Sequence, residues 1–290
     1  MNCRPRSAML SAYIPGWKEV QSTMIPYPQI DPDLVTIGPI HIRWYGVMYV
    51  LGFVAAYFFI QRQERSRQVG LVGVVAQDLV FYLAIGLIVG ARLGYLVFYQ
   101  YHSYLFYLEN PLEIIATWRG GMSFHGGLVG AVLAGLIFCR RRNLPFWVIA
   151  DSAAVTVPVG LGLGRIGNFI NGELLGRPTQ VPWAMVFPGG GPVPRHPSQL
   201  YEAFLEGLVL FLLLWVLRKK DFRDGMMVVF FLVFYGAFRF FLEFFREPDP
   251  QIGFLAGLFT MGQVLCLSMI AAGALLATFL SYRTPQTGQG

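Results

Sequence analysis

The chain has 290 residues, of which 55% are hydrophobic and only 13% charged, against about 25% charged in an ordinary soluble domain. Those values exclude disorder, which needs low hydrophobicity with high net charge, and they argue against a soluble globular protein. The net charge of +6 is no nucleic-acid footprint: the 22 lysines and arginines fall in short bunches between apolar runs, so no nucleic-acid partner is expected.

In chain order, residues 1–23 carry Arg4, Arg6 and Lys18 but no long apolar stretch. They do not read as a signal peptide, and are taken as a tail or a mis-called start. Residues 1–43 together form an N-terminal extracytoplasmic segment. A spanning helix needs about 20 mostly apolar residues. Seven runs qualify: Trp44–Gln61, Val72–Tyr99, Gly121–Cys139, Phe146–Gly164, Gln199–Leu217, Met226–Phe245 and Gly253–Tyr282. They lack period-2 alternation and are long enough to satisfy their own backbone hydrogen bonds as helices. The expected fold class is an all-α polytopic membrane protein with seven transmembrane helices. The membrane domain covers 44–282, a small extracytoplasmic head lies at about 165–198, and 283–290 form a cytoplasmic tail.

The connections alternate in charge. Arg62, Arg65, Arg67, Arg140, Arg141, Arg142, Arg218, Lys219, Lys220, Arg223 and Arg283 fall on one side; Arg119, Arg165, Arg177, Arg195 and Arg246 fall on the other. The positive-inside rule puts the richer side in the cytoplasm, with the N-terminus out and the C-terminus in. The three cysteines, Cys3, Cys139 and Cys266, lie far apart, and no metal-spaced cluster exists, so neither metal nor cofactor is expected. Glycines recur at four-residue spacing, Gly86/Gly90/Gly94, Gly126/Gly130 and Gly160/Gly164, which suits close packing of helices.

Ionisable groups inside spanning helices cost roughly 2.5–3.5 kcal/mol each on insertion scales. Those present are Arg92, Asp151, Glu202, Glu206, Arg239 and Glu243, with His125 and Arg165 at helix ends. All but Asp151 gather just beneath the outer surface. Plain readings stand beside functional ones. Arg239 and Glu243, four apart, can neutralise each other. Arg92 can snorkel to the interface. Asp151 can pair with Arg140–Arg142. His41, His102 and His196 read as interfacial. His125 differs, with four glycines around it in Gly120-Gly-Met-Ser-Phe-His-Gly-Gly127.

Gly162-Leu-Gly-Arg-Ile-Gly167 fits G-x-G-x-x-G, but a membrane helix precedes it where a dinucleotide fold requires a strand. The overlapping run Gly164-Arg-Ile-Gly-Asn-Phe-Ile-Asn-Gly-Glu-Leu-Leu-Gly176 is more informative. It offers one arginine, two asparagines, one glutamate and four glycines at an outer membrane surface. Arginine grips phosphate through a planar fork, and glycines let backbone N–H groups face a ligand. An anionic lipid headgroup is the expected ligand.

That run resembles the signature of the prolipoprotein diacylglyceryl transferases. Further matches follow in order: Arg43-Trp-Tyr-Gly46, Gly90-Ala-Arg-Leu-Gly-Tyr95, Gly121-Met-Ser-Phe-His-Gly-Gly127, Arg195-His-Pro-Ser-Gln-Leu-Tyr-Glu202 and Tyr235-Gly-Ala-Phe-Arg-Phe-Phe-Leu-Glu-Phe-Phe-Arg246. The departures are the tail before Met24 and a compact cap around Gly189–Gly191. The resemblance implies a bacterial inner-membrane enzyme with its active site on the periplasmic side. It would move the diacylglyceryl group of phosphatidylglycerol to the lipobox cysteine of a preprolipoprotein, forming a thioether and releasing glycerol phosphate.

On that reading His125 is the candidate base, and Arg165 and Arg239 stabilise the departing phosphate. Tyr235 binds the phosphate or orients the histidine. Asn168, Asn171, Gly176 and Tyr45 hold the headgroup, and Glu173 and Glu243 orient the two arginines. Three other readings stay open on the residues alone: an anion transporter or channel, a serine hydrolase using Ser123 and His125, and a non-catalytic lipid-binding scaffold.

Overall fold

The structure is a computed structural model that describes residues 25–28, 30–38, 40–117, 120–247, 254–255 and 259–282. The readings made above for the tail 1–23 with Cys3, for Arg119, for Gly253, and for Arg283 with the tail 283–290 lie outside the described residues.

A short antiparallel hairpin comes first, β1 (Asp33–Ile37) and β2 (Ile40–Arg43), followed by helix α1 (Trp44–Gln61) and the short α2 (Glu64–Gln68). Then come α3 (Val74–Tyr99), the short α4 (Tyr104–Glu109) and α5 (Leu112–Ile115), α6 (Phe124–Arg142), and α7 (Phe146–Asn171). The chain continues with α8 (Ser198–Leu217), α9 (Met226–Leu242), two-residue strands β3 (Phe254–Leu255) and β4 (Phe259–Thr260), and α10 (Met261–Tyr282). Among the described residues, six helices, α1, α3, α6, α7, α8 and α10, are long and apolar enough to cross a membrane, and the apolar α9 has 17 residues. Each closes its own backbone hydrogen bonds while leaving apolar side chains outward, as lipid requires. The molecule is a multi-pass membrane protein.

Several expectations are corrected. The fold is mostly helical rather than all-α. Gly38, at φ +59°, turns the chain between β1 and β2, and Val35 pairs with Ile42 and Thr36 with His41. Arg140–Arg142 form the last turn of α6 rather than a loop, where cations favour the helix dipole. Helix α7 runs seven residues beyond Gly164, so Arg165, Asn168 and Asn171 stand on a helix and not in the head. Tertiary packing explains this. A Cβ at Gly167 would lie 2.9 Å from the Tyr45 ring and 3.4 Å from its Cα, so the glycine is a contact point against α1 rather than a stop signal. Helix α9 ends at Leu242 rather than Phe245, and α10 starts at Met261, after β4.

Two compact units divide the chain, one of residues 53–156 and the other of the remainder. Within the 53–156 unit, α3 and α6 cross on glycine. A Cβ at Gly90 would lie 2.7 Å from the Cα of Gly130, and one at Gly94 would lie 2.7 Å from the Cα of Gly126. No larger residue fits this crossing. Below it Ile60, Leu71, Ala76, Leu79, Phe138, Cys139 and Ile149 form a buried cluster. Arg142 forms an ion pair with Asp78, and Asp151 is buried. Arg92 does not snorkel. It is buried and donates to the carbonyls of Ile114 (2.8 Å), Gly120 and Gly121 (2.9 Å each), and Glu113, tying those residues to α3.

Within the other unit, α9 packs on α10 through Gly236 and Gly273. A Cβ at Gly236 would lie 2.8 Å from Ile270, and one at Gly273 would lie 2.9 Å from Val233. The C-terminal end of α7 is closed by Tyr27. Its hydroxyl donates to the carbonyls of Phe169 (2.6 Å) and Ile170 (3.1 Å), and its ring packs against Phe169 and Phe187. Burial pushes the Tyr27 hydroxyl pKa up, which keeps it a donor.

Candidate active site

Helices α7 and α8 meet without side chains between them. A Cβ at Gly207 would lie 2.7 Å from the Cα of Gly162, and one at Gly162 would lie 3.0 Å from the Cα of Gly207. In the same stretch of α8, Ala203–Val209 winds as a π-helix, with hydrogen bonds reaching one residue further than in an α-helix. Such wide turns are rare and occur frequently at functional sites. Glu202 and Glu206 lie at this turn, both with no solvent exposure.

Around them stands a network of three guanidiniums and three carboxylates. Arg165 on α7 places Nε 2.8 Å from Glu202 Oε2 and Nη2 3.7 Å from Glu206 Oε2. Arg239 on α9 places Nη1 3.0 Å from Glu202 Oε1 and 3.8 Å from Glu206 Oε1, while its Nη2 lies 2.8 Å from Glu243 Oε2. Arg246 adds a third contact to Glu202, at 3.3 Å. Glu243 also accepts from the Thr260 hydroxyl at 3.0 Å. Gly262 leaves room for it, since a Cβ there would lie 2.6 Å from the Glu243 carboxyl carbon. Four segments of the chain thus converge on one charged cluster. Its paired charges offset the desolvation that each would suffer alone.

A second group lies toward the end of α7. The Glu173 carboxylate accepts from the side chains of Asn168 (2.8 Å) and Asn171 (3.2 Å). Tyr45 packs on Gly167 and shares a hydrogen bond with Tyr49 at 3.1 Å. Tyr49 lies within electrostatic reach of both Arg165 and Glu173, which links the two groups. After Gly172 the chain turns through Leu174, whose φ of +57° is unusual for a branched residue. The turn is held by Gln199, which donates to the Glu173 carbonyl at 2.6 Å. Gly176 is wedged between segments: a Cβ there would meet the His196 carbonyl and lie 2.9 Å from that of Phe245.

The structure therefore brings Arg165, Arg239 and Glu243 together. Tyr235, one turn before Arg239, lies within electrostatic reach of Glu206, Arg165 and Arg239. Tyr45, Asn168, Asn171 and Glu173 gather in the second group. Glu173 turns to the asparagines, and Glu202 rather than Glu173 is the close carboxylate of Arg165. Gly176 serves packing between the stretch after α7 and the segment after α9. His125 belongs to the 53–156 unit, in the first turn of α6. It is exposed, its ring lies edge-on to Phe124 at 5.7 Å, and among the described residues no hydrogen bond holds it. Ser123 is the buried N-cap of that helix and accepts from the Gly126 amide at 3.3 Å, which disfavours it as a nucleophile. Among the described residues no cluster of three metal-binding side chains occurs.

Sequence reasoning gave no role to Glu202, Glu206, Arg246 or Tyr49. The signal for the two glutamates was visible, since two carboxylates one turn apart in an apolar helix need cationic partners. Arg246 counts only among the bases of a connection in the sequence, and Tyr49 falls inside the apolar run Trp44–Gln61.

A family model described as "Prolipoprotein diacylglyceryl transferase" matches residues 32–279. The chain is 53% identical to the phosphatidylglycerol–prolipoprotein diacylglyceryl transferase of Geobacter sulfurreducens, over 89% of this chain and 98% of that one. It is 52% identical to the protein of that name from Oleidesulfovibrio alaskensis (88% and 95% covered) and 50% identical to that from Pseudomonas putida (90% and 98% covered).

Proposed function

The chain belongs to the prolipoprotein diacylglyceryl transferase family and has phosphatidylglycerol–prolipoprotein diacylglyceryl transferase activity; from that premise we propose how its residues divide the work. The substrates are phosphatidylglycerol and the lipobox cysteine of a preprolipoprotein signal peptide. The cysteine sulfur attacks the glyceryl carbon that carries the phosphate ester. A C–S bond forms, the C–O bond breaks, and its electron pair leaves with glycerol phosphate.

A free thiol has a pKa of about 8.5 and is mostly protonated at neutral pH. His125 takes that proton, since imidazole titrates near working pH. Arg165 and Arg239 stabilise the charge that grows on the phosphate as the bond breaks. Tyr235 supplies a neutral donor beside them. Asn168, Asn171 and Tyr45 bind the glycerol headgroup, with Glu173 orienting the asparagines and Gly176 holding the head against the site. Glu243 and Glu202 fix the Arg239 fork. The observation that carries this reading is the Arg165–Glu202–Arg239–Glu243 network, which presets two largely buried guanidiniums on fully or nearly fully buried carboxylates.

The topology belongs to the same proposal. Helix α9 crosses as a seventh span, the N-terminus lies outside, and the C-terminus lies in the cytoplasm of a bacterial inner membrane. The candidate site then faces the periplasm, where preprolipoproteins present their lipobox. The segment before α1 and the non-helical stretch after α7 form the extracytoplasmic part.

The test is release of glycerol phosphate by purified protein given phosphatidylglycerol and a lipobox peptide. Release depends on the peptide and stops when its cysteine becomes serine. Arg239→Lys keeps the charge but loses the fork, and rates should fall about 100-fold, as when a preorganised donor is removed. Full activity in that variant removes Arg239 from the leaving-group role.

A further inference from the structure

Glu206 is out of step with its neighbours. Glu202 takes contacts of 2.8, 3.0 and 3.3 Å from three guanidiniums, and Glu243 takes one of 2.8 Å and a hydroxyl. Glu206 has no contact from them nearer than 3.7 Å. Its side chain has no solvent exposure, and neither carboxylate oxygen receives a hydrogen bond among the described residues. An ionised carboxylate so placed has two guanidiniums at the edge of ion-pair range but no hydrogen-bond donor, so its desolvation is offset only in part, whereas the neutral acid has far less to offset.

We propose that Glu206 holds a proton in the resting site, so that three guanidiniums face two carboxylates and the cluster carries one net positive charge, matched to the single negative charge of a phosphodiester headgroup. Glu206 is a positioning residue on this account. It sets how much of the Arg165 and Arg239 charge is left for the lipid without touching the lipid itself. The proposal rests on the headgroup reading above and deepens it. The groups facing Glu206 are Arg165 on α7, Glu202 on α8, Tyr235 and Arg239 on α9, Arg246 beyond it, and Cys266 on α10.

The wide turn of α8 supports the assignment. It brings Gly207 onto Gly162, and α7 therefore closes over the stretch that carries Glu206. Water is thus kept from the carboxyl group that would otherwise ionise freely.

The experiment is binding of phosphatidylglycerol to the whole protein in phosphatidylcholine nanodiscs, without peptide, as a function of pH. The phosphodiester and the arginines keep their charges across the range, so a change in affinity reports the protein's other groups. Wild-type affinity should fall at least about tenfold as Glu206 ionises on the alkaline side, given the size of a charge–charge term at a few ångströms. Glu206→Gln, permanently neutral, should abolish that fall. The infrared spectrum of the wild type should show a protonated-carboxyl band that Glu206→Gln removes and Glu206→Asp shifts. A Gln variant that follows the wild-type pH profile overturns the proposal. Wild-type binding that does not weaken with alkalinity, or a wild-type spectrum without the band, overturns it with no variant needed. Arg165→Ala separates the two readings. Undiminished lipid binding in that variant would sink the headgroup site itself; lost binding there, with an unaltered pH profile in Glu206→Gln, would sink the Glu206 proposal alone.

Discussion

Arg239 and Glu202 meet at 3.0 Å across α9 and α8, and the same carboxylate lies 2.8 Å from Arg165 on α7. Glu202 is the hub through which three helices share charge. Removing its charge leaves three guanidiniums close together with one fewer counter-charge. Glu202→Gln should cost about 3 kcal/mol, the scale for breaking a buried pair. Thermal unfolding in detergent measures it, and an unchanged midpoint would show that the network contributes no stability.

His125→Gln keeps a hydrogen-bonding side chain but no base. Turnover at pH 7 should fall about 100-fold or more, the usual contribution of a positioned proton acceptor. Raising the pH toward 9 should recover part of the loss, because the substrate thiol then ionises unaided. Near-wild-type turnover at pH 7 would assign the proton to another group.

The α3–α6 crossing admits no side chain. Gly90→Val would drive two methyl groups into the Gly130 backbone, whose Cα already lies 2.7 Å from an added Cβ. A loss of about 1–3 kcal/mol follows from overpacking. Retention of the wild-type unfolding midpoint would mean that the helices part there without cost.

His196 gives a pH dependence outside the spanning helices. The Trp183 indole donates to the Tyr201 hydroxyl at 2.6 Å, leaving that hydroxyl to donate to His196 Nδ1 at 3.2 Å. That chain of hydrogen bonds needs Nδ1 unprotonated, and burial holds the His196 pKa below its ordinary value of 6.5. The unfolded chain therefore binds the proton at higher pH than the folded one. Stability from this group is complete above the unfolded value and declines as pH falls from about 6.5 toward the folded value. His196→Gln should flatten the slope of melting temperature between pH 7 and pH 5. An unaltered slope would place the acid sensitivity elsewhere.

Much of the candidate site was legible beforehand, for a specific reason. Charge in an apolar run is costly enough that each instance stands out, so Arg165, Arg239 and Glu243 could be picked by type and depth. Which carboxylate serves which arginine was not legible. Glu173 and Glu202 are both near Arg165 in the order of the fold, yet only the closure of α7 on α8 through Gly162 and Gly207 brings Glu202 to it.

The sequence by itself determined the membrane class, because long apolar runs can satisfy their backbone in lipid only as helices, a local requirement. It also marked Gly86/Gly90/Gly94 and Gly126/Gly130 as faces suited to close packing, since four-residue spacing puts small residues on one face, although the same spacing at Gly160/Gly164 leaves added Cβ atoms with nothing within 4 Å. Tertiary structure alone decided where α7 ends, because Gly164, Gly167 and Gly172 look alike until Tyr45 is packed against the middle one. It decided too that Arg92 is buried among carbonyls rather than reaching for the surface. It also separated two glutamates one turn apart, Glu202 bound by three arginines and Glu206 by none at close range. Pairing is a property of distances between distant segments, and residue type and spacing fix only which groups must find a partner.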